Sequence, residues 1–351
     1  MTKTISSEKV RHAFGRCGRK SSFCFLITVA ILGNAANVSA QDSNLPLEDR
    51  VLLGEAFALA ENMGDSVWEG WSEVPFTLLL VTEEQEFLFN HDNPTDDFED
   101  LGFDSMLQSN VYVRPNSGRY STSFLATFPA INGQNTVVMG RPDATGKTST
   151  EWVVTALHEH FHQLQFSRPH YWDRVAALDL SGGDESGMWM LNYPYPYESE
   201  TVQVAFEELE TALVTALENP DLSSLKHVSE ARLALRQLLS APEYRYQSFQ
   251  LWQEGVARYT EIRVADWAAK NHAPSPAFQV LPDFEPYESV HSTLLQSIHD
   301  ELLSHNIADI GRVAFYAFGA AEALLLDHQD SAWRARYFED MQFLESHTVK
   351  F

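Results

Sequence analysis

The chain has 351 residues, 44% of them hydrophobic, with 24 basic against 49 acidic side chains and a net charge of −25. That charge repels nucleic acid and anionic lipid, so neither is an expected partner. Length and apolar content suffice for a sizeable core, as one large domain or two lobes around a cleft, and no repeat, low-complexity run or linker interrupts residues 41–351.

The first forty residues read as an export signal. Lys3, Lys9, Arg11, Arg16, Arg19 and Lys20 form a basic region, Phe23 to Leu32 an apolar core, and Val38-Ser39-Ala40 an A-x-A-like cleavage site. A mature protein beginning at Gln41 is expected, exported to the periplasm or the extracellular space. The apolar core is too short to span a bilayer comfortably, which makes an uncleaved anchor the minor reading, and no later segment approaches transmembrane length. Both cysteines, Cys17 and Cys24, lie in this segment, so the remainder has no disulfide or thiol chemistry. The segment carries six basic side chains and one acidic, so its removal takes the net charge from −25 to −30.

Leu47 to Met63 has the apolar spacing of a first helix. Residues 75–140 are strand-rich: Phe76–Val81 and Glu86–Phe89 flank a polar turn as a hairpin, and Val111–Val113, Ser123–Phe128 and Thr136–Met139 are short β-rich runs between turn residues. The acidic stretch containing Asp92, Asp96, Asp97, Glu99, Asp100 and Asp104 lacks the spacing of a calcium loop and reads as a solvated turn. Gly140 to Thr148 resembles a phosphate-binding loop, but five residues separate Gly140 from Gly146 where four are needed. Beyond Thr148 the pattern is helical, over about 149–166, 199–218, 224–240, 243–270, 287–304, 307–327 and 331–344. Within it, the aromatic run Met188–Tyr197 suits either a substrate groove or a clamp on the domain. The expected class is α+β: a lobe of one helix and about five strands over 46–148, a helical lobe over 149–351, and the site in a cleft between them.

The chemistry is concentrated in His158-Glu159-His160-Phe161-His162, a His-Glu-x-x-His match. On a helix, positions i and i+4 lie about 40° apart, so His158 and His162 can hold one Zn²⁺ through ring nitrogens. Glu159 sits beside that face, where a carboxylate can take a proton from metal-bound water. His160 points about 200° away from His158 and reads as packing or outer support. Thr148 and Glu151 have capping-box spacing at the start of this helix, and Arg168-Pro169 ends it.

A catalytic zinc site needs a third protein ligand. Glu254 is the best candidate, on a helix beside Trp252, Val256 and Ala257; the adjacent Gly255, costly inside a helix, makes sense where another backbone approaches closely. Glu261 is the alternative.

At these residues the chain resembles the gluzincin metallopeptidases, particularly the aminopeptidase-N-like and glycyl-aminopeptidase-like families. Glu254-Gly255-Val256-Ala257-Arg258-Tyr259 matches their Glu-Gly-x-Ala-x-Tyr helix, whose Glu is the third ligand. Tyr316-Ala317-Phe318-Gly319-Ala320 matches their Tyr-x-x-Gly-Ala, whose Tyr stabilises the tetrahedral oxyanion. The resemblance covers about residues 149–327. It implies a zincin-like fold, one Zn²⁺ on His158, His162 and Glu254, Glu159 as general base, Tyr316 as oxyanion donor, and a peptide or protein substrate. Two departures stand out. His162 and Glu254 are 92 positions apart, far more than those families use, and the Gly-x-Met-Glu-Asn segment that holds a free N-terminus in aminopeptidases is absent. An endopeptidase, or a peptidase of narrow specificity, fits better than an aminopeptidase. Two other classes share these features: a binding protein on a metallopeptidase scaffold that has lost turnover, and a zinc hydrolase of non-peptide esters or amides. The strand expected at Thr136–Met139, just ahead of the motif helix, could offer an edge to an extended peptide.

Overall fold

The computed structural model describes residues 45–304, 306–341 and 344. The export segment read from residues 1–40 lies outside these.

Helix α1 (Leu47–Met63) leads into strands β1 (Leu78–Val81), β2 (Gln85–Phe89), β3 (Glu99–Asp104), β4 (Ser109–Pro115), β5 (Leu125–Ile131) and β6 (Gln134–Gly140). They form one sheet in the order β3-β4-β2-β1-β6-β5, antiparallel except for the parallel pair β1 and β6. Side chains alternate across it as a strand requires. Leu78, Leu80, Phe87, Phe89, Val137 and Met139 face the main core, while Leu79, Val81, Leu88 and Val138 face a smaller cluster with Tyr120 and Ile131. Burial on both sides explains why β1 is the unbroken apolar run Leu-Leu-Leu-Val. The β5–β6 turn is Asn132-Gly133, with φ of 50° and 79°, the pairing that a tight hairpin favours.

Two expectations for this lobe need correction. The sheet has six strands because residues 99–104, read as a solvated turn, pair with β4. The acidic flank of that strand is held by cations no local pattern reveals: Arg50 on Asp104 (2.7 Å) and Arg114 on Asp97 (2.8 Å). The edge beside the motif helix is β5, since β6 lies inside the sheet between β1 and β5.

The helical part begins with α2 (Ser149–Ser167), then α3 (Glu200–Glu218), α4 (Leu222–Leu238) and α5 (Ala241–Gln250). A single π-helical turn, Leu251–Gly255, joins α5 to α6 (Val256–Asn271), and α7 (Tyr287–Ser304) and α8 (Ala314–Gln329) follow. The helix expected over 307–327 is broken at Gly311, whose φ of 57° stops one short turn before α8 starts. Over the described part of the one expected at 331–344, a helix covers Trp333–Arg336 and a 3₁₀ turn Tyr337–Glu339. The aromatic run at 188–197 is a clamp: Tyr195 donates to Gln247 Oε1 (2.8 Å), and Tyr246 donates to Met190 O (2.9 Å). The molecule is α+β, and among the described residues no helix is long and apolar enough to cross a membrane.

Candidate active site

Helix α2 is fixed at its start by the expected capping box. The Glu151 N–H donates to Thr148 Oγ1 (3.3 Å), and the Thr148 N–H donates to Glu151 Oε2 (2.9 Å). The Trp152 indole donates to Gly140 O (2.7 Å), which ties the helix to the end of β6. Two turns on, His158 and His162 project side by side, their ring centroids 5.0 Å apart and both residues 5% exposed.

Glu254 reaches them from the π turn, a helix defect often found at functional sites because it re-aims one side chain. Its Oε2 lies 3.6 Å from His162 Nε2, and one ligand atom from each of His158, His162 and Glu254 falls within 4.8 Å of the other two. Bonds of ~2.0–2.1 Å to a tetrahedral zinc imply ligand–ligand edges of ~3.4 Å, so the widest pair needs to close by roughly 1.4 Å. Donor types, burial and spacing fit a single zinc ion. Burial opposes charge on both His162 and Glu254, but their mutual attraction outweighs it: His162 is pushed up to about 9 and Glu254 held down to about 2. The field at this point favours a cation.

The far nitrogens of the two rings are engaged. His158 Nδ1 sits 2.7 Å from Glu261 Oε1, an ion-pair contact without hydrogen-bond alignment. Glu261 thus lies behind His158, on the side away from the His162–Glu254 pair. Burial opposes its ionisation, yet Arg258 and His158 hold it well below the usual carboxylate range. Arg258 in turn reaches Ser297 Oγ (2.9 Å) and Glu301 (3.2 Å) on α7. His162 Nδ1 donates to Gln165 Oε1 (2.6 Å), and the Gln165 amide donates to Gln253 O (3.1 Å) and Tyr337 OH (2.8 Å). Partners of this kind set ring orientation and leave Nε2 free to ligate.

Glu159 is positioned from the sheet. Thr127 on the edge strand β5 places its hydroxyl 2.8 Å from both Glu159 Oε2 and Glu159 O. Tyr316 comes from α8, its ring parallel to that of His158 at a centroid distance of 6.4 Å. Arg312, one turn earlier, donates from Nη1 to the Tyr316 hydroxyl at 3.0 Å. Burial, reinforced by Glu254, raises the Tyr316 hydroxyl, so it stays a neutral donor.

What brings Glu254 to Tyr316 is a contact of two glycines. A Cβ on Gly255 would sit 2.5 Å from Gly319 Cα, and one on Gly319 would sit 2.7 Å from Gly255 Cα. The two helices cross there at backbone distance.

Compared with known proteins, the chain matches no family model and no solved structure. What the residues can do is therefore read from their own chemistry. Two imidazoles and a carboxylate converge as a donor set that could hold a borderline cation, with the Glu159 carboxylate on the same helix and the Tyr316 phenol nearby. His160 takes no part: its ring stacks on Phe76 (4.2 Å, 6°), and burial depresses it to about 4. Thr127 and Arg312 were invisible beforehand. Thr127 is one β-branched residue in a β-rich run, and Arg312 had only its i, i+4 relation to Tyr316 to mark it.

Proposed function

We propose that the chain is an exported, zinc-dependent hydrolase of peptide bonds with a zincin-like arrangement of sheet edge, motif helix and third-ligand helix. The convergence of His158, His162 and Glu254 from two separate helices, with Glu159 alongside, carries this reading. Bound Zn²⁺ supplies Lewis-acid polarisation and a water of lowered pKa. Glu159, steadied by Thr127, would serve as the general base, accepting a proton from the attacking water and returning it to the leaving amine. The Tyr316 hydroxyl donates to the carbonyl oxygen as negative charge develops on it. An extended substrate adds to the free edge of β5, where main-chain hydrogen bonds lay the scissile bond across Glu159.

The test is metal content and hydrolysis by the purified protein, with Glu254→Ala and Glu159→Gln. About one zinc per molecule, lost in Glu254→Ala, is expected. Glu159→Gln should keep the metal and lose turnover on a peptide library. No zinc after reconstitution, or full turnover in Glu159→Gln, overturns the proposal.

A further inference from the structure

Arg312 is the one charged side group next to the site whose role the reading above leaves open. The deeply placed arginines have carboxylate partners: Arg114 with Glu86, Arg232 with Glu322, Arg258 with Glu261. Arg312 makes no ion pair among the described residues. It feels the charge of Glu254, but that carboxylate is committed to His162. Of the five N–H donors in its guanidinium fork, the one bond among the described residues is from Nη1 to Tyr316, and the guanidinium lies 5.7 Å from that ring's centroid. A second hydroxyl, engaged with Tyr246, lies nearby. This Tyr197 hydroxyl is buried, and its ring packs on Tyr195 (4.9 Å) and on Phe315 (6.3 Å), the neighbour of Tyr316. The charge of Arg312 is felt at Tyr197, Tyr246 and Tyr316 alike. Arg312 is half-buried, and a cation fork partly withdrawn from water without an anion of its own is costly unless something supplies one.

We infer that Arg312 is a subsite for a substrate carboxylate one residue from the scissile bond. This rests on the peptidase reading. The Tyr316 hydroxyl is the group that meets the scissile carbonyl, and Arg312 touches it at 3.0 Å. A carboxylate gripped by the rest of the fork therefore lies about one residue along, given ~3.8 Å between successive Cα atoms. A planar fork matches a carboxylate in bidentate fashion. The carboxylate comes either from the carboxyl terminus of a peptide or from an Asp or Glu within it, and Arg312 thus sets specificity in addition to steadying Tyr316.

The experiment is calorimetric binding to the zinc-loaded Glu159→Gln protein, which needs no turnover. Probes are acetyl-Ala-Ala as free acid, the same peptide as amide, and acetyl-Ala-Asp amide. At least one carboxylate probe should bind about 10- to 100-fold tighter than the neutral amide, the range of a charge-assisted hydrogen-bond pair. The free acid alone identifies a terminal carboxylate; preference extending to the Asp amide identifies an acidic side group. Adding Arg312→Gln should erase the preference, and Arg312→Lys should keep part of it, while zinc content stays constant. Equal binding of acid and amide by the parent protein overturns the inference, as does a preference that survives Arg312→Gln, which would place the carboxylate on the metal. Preference without hydrolysis of any peptide by the unmodified protein sinks the peptidase reading and leaves the subsite standing.

Discussion

Replacing Gly255 by alanine sets two effects of opposite sign against each other. In a helix, alanine is favoured over glycine by about 1 kcal/mol. The added methyl, however, lands 2.5 Å from Gly319 Cα and 3.0 Å from Phe315 O, where carbon atoms normally settle at ~3.5–4.0 Å. Both are helix backbone and cannot swing aside, so α6 and α8 must part by roughly 1 Å. Overpacking of that kind costs about 1–3 kcal/mol, which leaves a net loss of up to ~2 kcal/mol. The functional loss should be larger. Glu254 is the residue before the methyl and Tyr316 lies one turn before Gly319, so the two separate together; a misplacement of ~1 Å costs about 100-fold in rate. Urea unfolding followed by tryptophan fluorescence, alongside kcat/KM on a cleaved peptide, measures both. Gly255→Ala with Gly319→Ala should be non-additive, because each methyl relieves the fit that the other disturbs. A Gly255→Ala protein about 1 kcal/mol more stable than its parent, with unchanged activity, would refute the close crossing.

Glu261→Gln should weaken zinc binding about 10- to 100-fold, read by chelator competition, because the charge behind His158 is removed while the ligands remain. Thr127→Val should lower kcat by about 10-fold or more with zinc content unchanged, since a hydroxyl contact to a carboxylate is worth ~1.5–3 kcal/mol. Glu210, buried in α3, is pushed up to about 8 by desolvation, with Glu207 adding to the shift. Its folded pKa exceeds the ordinary 4.5, so the stability tied to its protonated form is full below about pH 4.5 and lost as pH rises through about 8. Glu210→Gln should therefore raise Tm at pH 9 and change it little at pH 4; the reverse order would place the carboxyl in a charged, paired setting.

Local signals carried most of the helical part. The capping box at Thr148, the stop at Arg168-Pro169 and the i, i+4 histidines are short-range features, and each sits where the pattern puts it. Gly255 was also legible, because a glycine inside an apolar helix asks for a neighbouring backbone, and Gly319 provides it. Long-range pairings were not legible. Strand β3 depends on Arg50 and Arg114 from other elements, and the identity of the sheet edge depends on β5 lying outside β6. Glu261 is seven residues from Glu254, so both face one way along the helix, and spacing could not say which would ligate. The π turn, which brings Glu254 to His162, has no sequence signature.

The glycine crossing fixes Glu254 against Tyr316 whatever the 92 positions between His162 and Glu254 contain. The distance between the ligand-bearing helix and the tyrosine-bearing helix is written at one point of touch, not along the polypeptide. Whatever is spliced in between has only to leave that point clear. Helices α3 and α4 do so by stacking on the outer side of α8, where Phe206 meets Phe315 and Phe318, and Arg232 pairs with Glu322. The joint consists of two missing side groups, so it has an unusual inheritance: growth at either glycine cannot be answered by shrinkage at the other, because nothing smaller exists. The pair is free to drift in its surroundings but locked in itself.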